Sequence, residues 1–226
     1  NAMSIVWQPE KNFIENTNLF QFIHYINQHH QLDIHDYHSL YQWSITQREC
    51  FWQAIWHYFN IQHSRTYRTV AQDVDNMRAT KWFIGAKLNF AENLLSRNDD
   101  KTALIFRNEK YDRRVLSYQQ LYREVAKTAK ALRLAGVKKN DRVVGYMANT
   151  PETIIAMLAT TSIGAIWSSC SPDFGSQAII DRFSQIEPKV LFTHDGQFYN
   201  GKTHDTLNKL PELLQQIPSI KKTIVI

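Results

Sequence analysis

Residues 196–203, Gly-Gln-Phe-Tyr-Asn-Gly-Lys-Thr, carry a pattern with a defined chemistry. They fit G-x-x-x-x-G-K-[ST], in which backbone N–H groups surround a phosphate, Lys202 meets its outer oxygens and Thr203 reaches Mg²⁺. An apolar run before it and a helical pattern after it supply the context this motif requires. Three features weigh against a nucleoside-triphosphate loop. Two parallel strands precede it, whereas such loops follow the first strand of their sheet. Phe198 and Tyr199 are bulky for a tight backbone nest. No later apolar strand ends in an Asp to hold the metal. The reading that survives is a loop at a strand's carboxyl end that offers Lys202 and free amides to a phosphate. A phosphate-loop module remains the lesser alternative.

The elements that must position this loop begin at residue 141. Val143–Met147 reads as a buried strand, and Asn149 or Thr150 can cap a helix with Pro151 at its first position and Glu152 at its positive end. Gly164 closes that helix and Ala165–Ser169 reads as the next strand. Strand, helix, strand at this length is a parallel crossover unit, and ligands of such sheets bind outside the carboxyl ends of the strands. Those ends are Ala148–Thr150 and Ser169–Gly175. Further on, Ser176 can cap a helix carrying Ile179, Ile180, Phe183 and Ile186, ended by Pro188. Val190–Thr193 is a third strand, residues 204–216 a helix, and Lys221–Ile226 a fourth parallel strand. An apolar strand at the very end suggests a chain that stops inside a domain.

Upstream, Ala103–Phe106 and Arg114–Tyr118 form a hairpin around Asn108, Glu109 and Lys110. Ser117 and Gln120 make a capping box for a helix with Leu121, Val125, Leu132 and Ala135 on one face, stopped at Gly136. Residues 1–100 differ in character. Asn18–His29 and Leu40–Asn60 predict helices, with Leu19, Phe22, Ile23 and Ile26 on the apolar face of the first and Trp52, Ile55, Trp56 and Phe59 on that of the second. Residues 61–100 look extended and irregular apart from 82–95, so we expect a helical and extended region over 1–100 and an α/β domain over 101–226. Asn1 and Ala2 before Met3 resemble a tag remnant.

Composition excludes several functions. A hydrophobic content of 43% with 6 Trp, 10 Tyr and 12 Phe supports a packed core and argues against disorder. The net charge of +5 is scattered; Arg107, Lys110, Arg113 and Arg114 sit in one apparent hairpin and form no stripe with aromatics, so no nucleic-acid partner is expected. Residues 153–172 carry no charge, but Thr, Ser and Gly164 interrupt the run, and a helix plus a buried strand explains it better than a membrane span. Gln8, Glu10 and Lys11 break the amino end, so no signal peptide is expected. Cys50 and Cys170 lack metal or redox spacing and read as reduced thiols of a cytoplasmic protein. Seven of the nine His lie before residue 64, without the acidic or Cys partners a metal site needs.

Taken together, Trp82–Leu95 (WFIGAKLNFAENLL) and the stretch from Leu116 to Gly175 resemble the short-chain acyl-CoA synthetases of the adenylate-forming (AMP-binding) superfamily. Trp43–Ile45 with Phe51–Trp52, the segment SSCSPDFG and the loop Tyr-Asn-Gly-Lys are similar to the acetoacetate-activating branch. The resemblance implies an acid–thiol ligase whose substrates are acetoacetate, ATP and CoA. A carboxylate attacks the α-phosphate of ATP, and CoA thiolate then displaces AMP from the acyl-adenylate. Acetate, propionate or a hydroxybutyrate in place of acetoacetate is the alternative, and a non-enzymatic interaction module a third. The family's Ser/Thr/Gly-rich loop, its Mg²⁺-binding Glu, its ribose-binding Asp and its mobile Lys match no segment here. The resemblance therefore implies no catalytic and no metal-binding residue in this chain, no tight binding of ATP, CoA or Mg²⁺ by it alone, and a need for the remainder of its own chain. What it does carry over is one wall of a CoA site: Tyr199, Asn200, Gly201 and Lys202, with Pro172 and Asp173. In related enzymes the loop has Arg at both ends; here Tyr199 replaces the first and Lys202 keeps the charge of the second, without Arg's bidentate geometry.

Overall fold

The computed structural model describes residues 6–110 and 112–226, so the reading of Asn1–Met3 lies outside the described residues. The chain forms two compact units, Asn1–Leu88 and Asn89–Ile226.

The first unit contains α1 (Lys11–Glu15), α2 (Asn18–His30), α3 (Tyr37–Thr46), α4 (Arg48–Tyr58) and an antiparallel pair, β1 (Thr69–Gln72) with β2 (Lys81–Ile84). Thr17 caps α2 through Phe20 N–H, and Asp36 and Ser39 cap α3 reciprocally. The single helix expected over 40–60 is two, broken at Gln47, whose ψ of 55° ends α3. This turn changes which side chains meet the core. Phe22, Ile23, Ile26, Leu40, Trp43 and Ala54 are buried together. Trp56 is buried as expected, while Trp52 and Phe59 are exposed. Trp52 instead stacks edge-on with Trp82 of β2.

The second unit is built on a parallel sheet. Its elements are α5 (Phe90–Leu94), the hairpin β3 (Thr102–Arg107) and β4 (Arg113–Ser117), α6 (Tyr118–Leu134), β5 (Arg142–Tyr146), α7 (Pro151–Ser162), β6 (Ile166–Cys170) and α8 (Ser176–Phe183). After them come β7 (Val190–Thr193), β8 (Gly196–Tyr199), β9 (Lys202–Asp205), α9 (Leu210–Gln216) and β10 (Lys222–Val225). The sheet order is β10-β7-β5-β6, all neighbours parallel.

Alternation along the central strands explains why helices cover both faces. Val143 and Met147 face a core with Leu121, Val125, Leu132, Ile155 and Leu158 of α6 and α7. Val144 and Tyr146 face the other, with Ile179, Phe183 and Leu213 of α8 and α9. Each such aliphatic side chain contributes about 1.5–3 kcal/mol on burial. The capping box at α6 is present: Ser117 Oγ accepts from Gln120 N–H, and Gln120 Oε1 accepts from Ser117 N–H. The helix expected after Ser176 begins one residue earlier, with Gly175 as its cap and no side-chain cap bond. It ends at Phe183 and passes into a 3₁₀ turn before Pro188. The helix expected over 204–216 starts only at Leu210, because Lys202–Asp205 is a strand. The uncharged run 153–172 is α7 plus β6, and no helix among the described residues is long and apolar enough to cross a membrane.

Candidate functional site

The parallel strands end on one side of the sheet, and their carboxyl ends deliver three short segments there: Met147–Thr150, Ser171–Gly175 and His194–Gly196. A cavity of about 720 Å³ lies among them, with the β3–β4 turn and the first strand of the β8–β9 hairpin completing its wall. Such a volume suits a small-molecule ligand.

Each segment is fixed by contacts of its own. After β5, Thr153 Oγ donates to Ala148 O at 2.6 Å, bending the chain into α7. Thr150 is the cap residue, but its side chain makes no cap bond, and neither does Asn149 take that role. Glu152, placed at the helix's positive end as expected, accepts two hydrogen bonds from Arg114 of β4, at 2.8 and 2.7 Å. Arg114 holds the Glu152 carboxyl below its ordinary range. After β6, Tyr146 Oη donates to Pro172 O at 2.9 Å, and Lys209 Nζ donates to Tyr146 Oη at 2.9 Å. Arg182 lies over the Phe174 ring at 4.5 Å. These contacts pin the Pro172–Phe174 backbone. Asp173 is exposed, its carboxyl held below the usual range chiefly by the Ser171 hydroxyl.

The segment 196–203 is the main correction. It is an antiparallel hairpin: Gly196–Tyr199 pairs with Lys202–Asp205, Tyr199 opposite Lys202. Asn200 and Gly201 form its two-residue turn with φ of 51° and 72°. A phosphate loop needs its Lys at the start of a helix, so the phosphate-loop reading is overturned: Lys202 and Thr203 are strand residues here. Asn-Gly between two short runs is itself the hairpin signal that the sequence carried.

The turn nevertheless binds an anion. Glu109, from the β3–β4 turn, accepts hydrogen bonds from the N–H of Asn200 at 3.0 Å and of Gly201 at 3.1 Å. Those two amides lower its pKa. Lys110 Nζ lies 4.5 Å from the centre of the Phe198 ring beside it. Of the six residues expected to form the CoA wall, Tyr199 and Pro172 line the cavity together. Asn200, Gly201 and Lys202 stand at the hairpin tip, exposed, and Asp173 lies beside Pro172, also exposed. Sequence reasoning missed Glu109, Tyr146, Lys209 and His194. The first three act over separations of 26 to 92 residues, beyond any local pattern. His194 is buried at the end of β7 and lines the cavity.

Comparison with known proteins agrees with this architecture. The family described as AMP-binding enzyme matches residues 90–226, and that described as acetyl-coenzyme A synthetase N-terminus matches residues 37–94. An acetoacetyl-CoA synthetase of Gallus gallus is 42% identical over 225 residues, 98% of this chain and 33% of that protein. A malonamoyl-CoA synthetase of Penicillium aethiopicum is 38% identical over 218 residues, 93% of this chain and 30% of that protein. The structure of acetoacetyl-CoA synthetase from Streptomyces lividans superposes with a TM-score of 0.90 at 37% identity, covering 97% of this chain and 34% of that one. The chain thus spans about a third of the length of the relatives it matches. With its parallel sheet, its strand-end cavity and a family match over more than half its length, the chain belongs to the AMP-binding enzyme family.

Proposed function

We propose that this chain is the amino-terminal third of an acid–thiol ligase that converts acetoacetate, ATP and CoA to acetoacetyl-CoA, AMP and pyrophosphate in the cytoplasm. The observation that carries this reading is the identity of about 40% to acetoacetyl-CoA synthetases along 98% of the chain. Within it, the chain's own task is to bind CoA, while adenylation with its Mg²⁺ is performed by residues outside these 226. The hairpin tip suits a phosphate of CoA. Its two turn amides already hold a carboxylate at 3.0 and 3.1 Å, and Lys202 adds a cation beside them. The pinned Pro172–Phe174 backbone and Tyr199 then form a wall along which the rest of CoA lies. Asp173 is exposed and is not among the residues that line the cavity.

A second reading, another short acid in place of acetoacetate, is favoured by the comparable identity to a synthetase named for malonamoyl-CoA. Carboxylate-dependent ATP–pyrophosphate exchange separates the two. The full-length protein is expected to exchange with acetoacetate well above acetate, propionate, 3-hydroxybutyrate and malonamate, and the 226-residue chain alone with none. Exchange led by another acid would replace the first reading with the second. Exchange by the chain alone would overturn the division of labour.

A further inference from the structure

His194 is a buried polar group of the cavity that the chain itself leaves poorly paired. It follows β7 directly, is 7% exposed, and neither Nδ1 nor Nε2 makes a hydrogen bond of full geometry among the described residues, although the Tyr146 backbone lies close enough to act on the ring. Leaving a buried imidazole unpaired destabilises a fold, and native structures hold few such groups without a reason. Burial holds the ring below its usual pKa, with the Tyr146 backbone and Asp195 pulling the other way. At neutral pH the ring is therefore uncharged, one nitrogen a donor and the other an acceptor. Such a group gains little from a phosphate or carboxylate, which rewards positive charge. Its match is an uncharged group with its own donor and acceptor, as in a secondary amide.

The cavity that His194 lines also has Pro172 and Tyr199 in its wall, and Tyr199 begins the turn that takes the nucleotide end in the reading above. Between its nucleotide and its thiol, CoA carries an arm with two secondary amides. Met147, Ala148 and Phe198 give the same cavity the apolar surface that the arm's methylenes require. We propose that His194 is a CoA-binding residue that hydrogen-bonds an amide of the pantetheine arm. This rests on the CoA reading of the site. The unpaired ring is then a stability sacrifice kept for binding.

The test uses the full-length enzyme with His194→Leu, His194→Gln and Lys202→Ala, and two probes: CoA, and adenosine 3′,5′-bisphosphate, which lacks the arm. His194→Leu is expected to raise the KM for CoA about three- to tenfold, the loss of one net hydrogen bond. Its kcat stays within about twofold and its affinity for the bisphosphate is unchanged, because the lost contact is to the bound arm. His194→Gln, which keeps a donor and an acceptor, restores the KM. The melting temperature of the Leu variant rises, since an unpaired buried group has gone. An unchanged KM in His194→Leu, with Lys202→Ala weakening both probes, overturns the role of His194 and leaves the CoA reading standing. If Lys202→Ala affects neither probe, the CoA reading fails and the inference with it. A lowered melting temperature in both His194 variants makes the ring a core group and also overturns it.

Discussion

At the scale of single residues, the site is held by groups that serve different ends. Tyr146 and Lys209 fix backbone, Arg114 neutralises Glu152, and Glu109 fills the hairpin's amides. Glu109 is the one in conflict with the proposed ligand. Its carboxylate sits on the two N–H groups a phosphate of CoA would take, so the two anions compete for one turn. Charge-assisted hydrogen bonds are roughly twice as strong as neutral ones, so removing the charge weakens the resident competitor. Glu109→Gln is expected to lower the KM for CoA about two- to fivefold, a shift set by that difference. Initial-rate kinetics against CoA concentration measure it. A raised KM would mean that Glu109 holds the turn in place for the ligand instead of standing in its way.

At the scale of elements, the β8–β9 hairpin is held to its geometry by Gly196. A Cβ built there would lie 2.7 Å from the carbonyl oxygen of His204 on the facing strand, a backbone atom that cannot swing aside. Gly196→Ala is expected to part the strands at that end and destabilise the unit by about 1–3 kcal/mol, the range for overpacked sites. Urea melts measure the loss, and backbone amide exchange in Gln197–Asp205 locates it. Amides as protected as in the parent chain would show that the strands close again around the methyl group. Gly201 differs: a Cβ there meets nothing within 4 Å, and only its φ of 72° opposes substitution. The same hairpin marks where local reading of the sequence stops. β5, α7 and β6 are legible because Pro151, Gly164 and two apolar runs each act locally. Gly196–Thr203 carried two local signals at once, a phosphate-loop pattern and an Asn-Gly turn. Strand pairing of Tyr199 with Lys202 decided between them. Gln47 broke a helix that apolar spacing alone ran through, since Trp52 and Trp56 fit either arrangement. His194 was illegible for a different reason: one His between Thr193 and Asp195 has no spacing partner. Only burial without a well-formed hydrogen bond distinguishes it.

At the scale of the molecule, composition changes at residue 100, whereas the compact units divide between Leu88 and Asn89. The difference has a physical origin in α5. Asn89 caps it by accepting from Glu92 N–H, and its own Nδ2 donates to Thr161 O of α7 at 2.9 Å. Ala91 is fully buried in the core shared by α6, α7 and the sheet, and Leu95 packs against that core. Residues 89–95 close the apolar stretch 82–95 that the sequence reading assigned to the first region, yet they contribute burial to the α/β unit. Their loss removes two apolar contacts and a cap, about 2–3 kcal/mol from burial and capping together. For a unit of this size that corresponds to roughly 5–10 °C in melting temperature. A chain of residues 89–226 is expected to melt cooperatively and higher than one of residues 101–226 by that margin, measured by circular dichroism at matched concentration. Equal melting temperatures would place the working boundary at the composition change and make α5 an appendage. A lower value for the longer chain would mean that Phe90 and Leu94, both exposed, outweigh the buried face of the helix.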